Sequence, residues 1–148
     1  MRMYHNGKTF DVAAADLAAI GLGPVEHIPT ASDVNIERDR RISAGTTFTV
    51  VGYGGIPVTG RERDQIVLGT MLQRAQALKA SGSTAASLVL RDAGNITHQL
   101  TPDQAIDLVS QGVAWIEATM QVSWDMKDGV GAFADGIPSD YTDDRHWF

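Results

Sequence analysis

The sequence predicts an α+β fold: small helices and two β-hairpins packed around a long C-terminal helix, with an N-terminal hairpin-helix appendage. Three observations predict it. The stretches 46-TTFTVV-51 with 56-IPV-58, and 87-SLVLR-91 with 96-ITHQL-100, are strand-like segments separated by turn residues. Segments beginning near Thr59 and Thr101 combine capping-box spacing with apolar residues at helical intervals. The last of these segments is long enough for a rod of about 40 Å.

The elements follow in order. Residues 1 to 11 read as a hairpin, because Asn6-Gly7 tolerates the positive φ of a tight type I′ turn. Asp11 is placed to cap a short helix through 13-AAADLAAI-20, with Gly21 as its stop. Residues 21 to 32 mix Gly, Pro and Ser and read as a linker, so residues 1–30 form a separate attachment segment. The main domain is expected over 34–128. It opens with a helix through 35-NIERDRRIS-43, continues into TTFTVV, and turns at Tyr53-Gly54-Gly55. Pro57 marks the returning strand as an edge.

Thr59 and Glu62 have capping-box spacing for the next helix. Its expected core stripe is Ile66, Val67, Met71, Leu72, Ala75 and Leu78, with Gly82 beyond its end. The second hairpin turns at 92-DAGN-95. The final helix has Thr101 as cap, Pro102 at its first position and Gln104 completing the box. It should run to about Lys127, before Gly129 and Gly131. Residues 129–148 are expected as an extended tail.

Composition narrows the function classes. The 148 residues contain no cysteine, which excludes disulfides, thiolate nucleophiles and cysteine-based zinc sites. With 12 basic and 18 acidic residues the net charge is −6, which argues against binding to nucleic acid. No apolar run approaches the ~20 residues of a membrane span, and no signal core opens the chain. The run 37-ERDRR-41 alternates sign, the pattern of a helix face laced with ion pairs and not of a nucleic-acid arm. The histidines at 5, 27, 98 and 146 lack zinc-helix spacing. Ser43, Ser87, Ser110 and Ser123 lie outside any Gly-x-Ser-x-Gly elbow. The acids Asp140, Asp143 and Asp144 lack the spacing of a calcium loop. Accordingly no catalytic residue, metal or cofactor is expected.

Two features point to protein contacts. The final helix carries one apolar stripe of Ile106, Val109, Val113, Ile116 and Met120, and another of Leu108, Trp115, Val122 and Met126. Together they exceed the ~100° arc that a surface helix buries, so Trp115 and Met126 are candidate interface residues unless the hairpins cover both stripes. In 140-DYTDDRHWF-148, three aromatics stand among three aspartates. Tyr141, Trp147 and Phe148 are therefore expected to dock, on a partner or on the same domain.

The segments 38-RDRRISAGTTF-48, 56-IPVTGRERDQIVLG-69 and the Arg-Asp-x-x-Asn-x-Thr-His-x-Leu-Thr hairpin at 91 to 101 resemble a known family. It is the domain of unknown function found in tail-fibre, tail-tip and tail-assembly proteins of tailed bacteriophages. The resemblance spans roughly Val34 to Asp128, and residues 1 to 30 fall outside it. It implies a non-enzymatic structural protein of the virion at the tail tip or fibre base, made in the host cytoplasm. The implied partners are other phage tail proteins (fibre, hub or tip), with self-association, and with neither nucleic acid nor membrane. A transient fibre-assembly chaperone is the alternative that the resemblance also allows.

Overall fold

A computed structural model describes the backbone of residues 2–5 and 8–11, and residues 27–148 in full. Strand β1 (Arg2–His5) pairs antiparallel with β2 (Lys8–Asp11), with His5 opposite Lys8. That register is the one a two-residue Asn-Gly connection sets. The helix expected after Asp11, and the first half of the expected linker, lie outside the described residues.

Helix α1 (Ala31–Ala44) starts inside the stretch read as linker. Thr30 Oγ1 accepts from Asp33 N at 3.3 Å, and Asp33 Oδ2 accepts from Thr30 N at 2.8 Å. This is a capping box closed by Asp in place of the usual Glu. Gly45 ends the helix at φ +68, and a Cβ there would lie 1.9 Å from the carbonyl oxygen of Val58. A Cβ on Gly60 would likewise sit 2.3 Å from the oxygen of Ile42. These two glycines let the end of α1 press directly onto the chain leaving the first domain hairpin.

That hairpin pairs β3 (Thr46–Val50) with β4 (Gly54–Val58), Phe48 opposite Ile56. Phe48, Val50 and Ile56 point inward. Helix α2 (Glu62–Ala80) follows. The second hairpin pairs β5 (Leu88–Arg91) with β6 (Thr97–Leu100), burying Leu88, Leu90, His98 and Leu100. Asn95 takes φ 64 in its turn, a conformation Asn adopts more readily than most residues. Helix α3 (Pro102–Asp128) has the expected Thr101–Gln104 capping box and a left-handed Gly129 at its end. Short 3₁₀ turns at Gly131–Phe133 and Asp144–His146 complete the described chain.

The α+β architecture is as expected, with α3 as its spine, but three local readings change. The Thr59–Glu62 box does not form: α2 is capped at Arg61 without a side-chain bond, and Thr59 bonds Asp64 instead. Gly60 N donates to Ile42 O, which ties this stretch to the end of α1 just ahead of the helix. Within α2, Ile66 and Val67 are exposed, while Met71 and Ala75 are buried with Leu68, Leu72 and Leu78 at their flanks. The stripe is rotated because only one side of α2 faces α3. Residues 129–148 are not an extended tail but fold back against α1 and α3.

Two cores result. The first joins Phe48, Val50 and Ile56 to Leu88, Leu90 and Leu100, with Met71, Ala75, Ala105, Leu108 and Val109. The second joins Val34, Met126, Phe133 and Trp147, with Val122, Ile137 and Tyr141 at its edge.

Candidate partner-binding surface

Beside the first core, α3 borders a groove. There α2, α3 and the β3–β4 hairpin leave an apolar groove of about 190 Å³. Phe48, Leu68, Leu72, Leu108, Trp115 and Ile116 form most of its walls, and Thr59 and Gln65 are its polar side chains. No charged side chain lines it. Gly69 of α2 and Gly112 of α3 also line it. Neither glycine has a positive φ. A Cβ at Gly69 would meet nothing within 4 Å, and one at Gly112 would lie 4.0 Å from Phe48. Glycine within a helix costs about 1 kcal/mol relative to alanine. Here that cost meets no demand of backbone or packing, and its effect is to keep the groove open.

Trp115 separates this groove from the tail. Its ring meets Phe48 edge-on at 6.3 Å and stacks on Phe148 at 6.0 Å, 12° from parallel. Phe148 is otherwise 66% exposed. Of the five expected interface residues, Met126 and Trp147 lie in the interior of their own chain, so neither is a surface in this fold. Tyr141 packs at the edge of the same core. Trp115 and Tyr141 are half-buried, and Phe148 is the most exposed of the five.

The tail is held by the charged run read as an outer helix face laced with ion pairs. In that run Glu37 and Arg41 are buried. Arg41 Nε donates to Glu37 Oε1 at 2.8 Å, one of its terminal nitrogens donates to Thr142 O at 2.8 Å, and the other pairs with Asp144 at 2.8 Å. Its guanidinium also lies 5.0 Å from the Trp147 ring centre and 5.7 Å from that of Phe148. Arg40 grips the same Glu37 carboxylate through two nitrogens, at 2.8 and 2.6 Å. The hydrogen bonds from Arg40 hold the Glu37 carboxyl below the usual range, assisted by the charges of Arg40 and Arg41 and opposed by burial. Trp147 Nε1 donates to Tyr141 O at 2.7 Å, which satisfies the buried indole.

A polar relay joins the two domain hairpins. Tyr53 Oη lies 2.8 Å from His98 Nδ1, and His98 Nε2 lies 2.7 Å from Asp92 Oδ2. The buried Asp92 also accepts from Ile96 N at 2.9 Å. The His98 contact and these backbone bonds lower the Asp92 carboxyl below its ordinary value. The order hydroxyl, imidazole, carboxylate has the form of a nucleophile activated by a base. None of the three residues lines the groove, however. Ala93 N donates to Pro57 O at 2.9 Å beside them, so the relay acts as a clasp between hairpins. No cluster of three or more metal-ligating side chains occurs among the described residues. None of their helices is long and apolar enough to cross a membrane.

Sequence reasoning passed over Gly69, Gly112 and the burial of the Glu37–Arg41 pair. For the glycines the available signal was an isolated Gly inside a helical pattern. A family model for a domain of unknown function, DUF4376, matches residues 27–144. The match reaches beyond the 34–128 span of the motifs and takes in most of the docked tail. No curated protein and no solved structure matches the chain.

Proposed function

The chain belongs to the DUF4376 family, and we propose that it serves as a non-catalytic structural protein of a bacteriophage tail, at the tip or fibre base. It acts through protein–protein contacts with fibre, hub or tip proteins. The observation that carries the contact role is the apolar groove held open by Gly69 and Gly112. At about 190 Å³ it lies below the ~300–1,000 Å³ of small-molecule sites. It suits anchoring side chains from another protein, and its only polar side chains are those of Thr59 and Gln65. The tail assignment is supported by the motif order at 38 to 48, 56 to 69 and 91 to 101.

Mass spectrometry of purified virions of the phage that encodes the chain tests this reading. Presence at a fixed stoichiometry with a tail protein is the expected result. Absence from mature particles, with binding to fibre protein during assembly, would replace it with the transient chaperone role.

A further inference from the structure

We propose that the docked tail sets the form of the groove, with Phe148 as the positioning residue that holds Trp115 in the groove wall. The inference rests on the protein-contact reading above and names what regulates that surface.

Trp115 stands between two spaces. On one side it lines the apolar groove, and on the other it borders a more polar cleft of about 580 Å³ beside Arg40, Thr46 and Phe148. Two aromatic neighbours hold its half-buried indole. Phe48, edge-on at 6.3 Å, belongs to the first core and is fixed there. Phe148, stacked at 6.0 Å, belongs to neither core. Ring pairs of both kinds are worth more than their buried area alone. Phe148 is 66% exposed, so burial explains little of its placement, and the contact with the indole explains more. Phe148 fills the side of the indole that faces the cleft. Without it, Trp115 has room to swing out of the groove wall.

Phe148 is itself held from α1. Trp147 N and Phe148 N both donate to Asp144 O, at 2.9 and 3.1 Å, which fixes this turn on Asp144. Arg41 pairs with the Asp144 side chain and lies 5.7 Å from the Phe148 ring centre. Glu37 fixes Arg41 within α1, so the arrangement starts from a rigid point. A continuous line of contacts therefore runs from Arg41 through Asp144, Phe148 and Trp115 to Phe48 in the groove wall. Coupling between two sites is reciprocal. A side chain seated in the groove against Trp115 strengthens the docking of the tail, and a docked tail strengthens that seat. Release of the tail frees Trp115 and joins the groove to the cleft.

Methyl and indole NMR spectra of the full chain test this coupling, with N-acetyl-leucinamide as an uncharged mimic of an anchoring side chain. In Phe148→Ala the methyl signals of Leu68 and Leu72 should move, although both lie on α2 and Phe148 does not line the groove. The Trp147 indole signal should stay in place, showing that the rest of the tail remains docked. Phe148→Tyr keeps a ring on Trp115 and should restore the native methyl positions. The mimic should bind Phe148→Ala roughly fivefold more weakly than the native chain. In the native chain, saturating the groove with the mimic should slow hydrogen exchange at the Trp147 indole. Native leucine signals and native affinity in Phe148→Ala, with Trp147 still docked, would overturn the proposal. So would leucine signals that move as far in Phe148→Tyr as in Phe148→Ala. Should Phe148→Ala unseat Trp147 as well, exchange in the native chain decides, and a rate unchanged on saturation overturns the coupling. Failure of the mimic to bind the native chain would count against the protein-contact reading, while the leucine signals would still decide the coupling.

Discussion

Along α3 the chain builds two cores by different means. Beneath Ala105, Leu108 and Val109 the core is assembled from alternating strand residues and one flank of α2. Its apolar groups are many, and each carries a modest share. Beneath Met126 the core has four buried members, and two of them, Val34 of α1 and Trp147 of the tail, are more than a hundred residues apart in sequence. That second core is closed by a buried ion pair: Glu37 orients Arg41, and Arg41 holds the tail by hydrogen bonds, charge and aromatic contact. The first core therefore tolerates single losses better than the second. The groove opens on the flank of the first core, where Phe48, Leu108 and Val109 form part of its wall.

The largest effect should come from breaking the second core. Met126→Glu places an unpaired carboxylate among Val34, Phe133 and Trp147, and should cost about 4 kcal/mol or more. Because α3 belongs to both cores, the whole chain should lose its cooperative transition in urea, followed by circular dichroism. A folded, merely dissociated protein would mean that Met126 faces a partner.

Arg41→Met comes next. It leaves Glu37 with Arg40 alone and releases Thr142 and Asp144. The expected loss is about 2–3 kcal/mol, below the usual cost of breaking a buried pair because Arg40 remains. The equivalent change at the half-buried Arg38, which pairs with the exposed Asp39, should cost less in the same urea titration.

In the groove the sign reverses. Gly112→Ala has room for its methyl group and should raise stability by roughly 1 kcal/mol, or about 2–4 °C in melting temperature. A loss of stability would show that the glycine serves packing.

The smallest effect is in acid. Asp92 has a depressed folded pKa, so its contribution is fully present above the unfolded carboxylate value near 3.9. It disappears as pH falls through the lower folded value. Urea midpoints measured between about pH 5 and pH 2 should therefore fall less steeply in Asp92→Asn than in the native chain. Parallel curves would remove Asp92 from the acid response.

The same contrast explains what could be read in advance. The two domain hairpins and the long final helix, with its Thr101–Gln104 box and Gly129 stop, are local patterns, and the structure repeats them closely. The second core was hidden because its stripe mixes chemistries. Val34, Glu37 and Arg41 follow helical spacing on one buried face, but only the first is apolar. Nothing local distinguishes Arg41 from Arg38 or Arg40. The tail aromatics announced that they would dock, while the choice of surface depended on α1, about a hundred residues earlier in the chain. Gly69 and Gly112 each looked like an incidental weakness in a helix. Only their convergence across the α2–α3 gap gives them meaning.

Truncation after Ser139 tests most directly the claim that the tail is part of its own fold. It removes Tyr141, Trp147 and the groups that hold Arg41. Losing a buried Trp alone costs about 3–5 kcal/mol, so the melting temperature should fall by about 10 °C or more. An unchanged melting temperature would contradict the account and show that the tail is not held by its own domain.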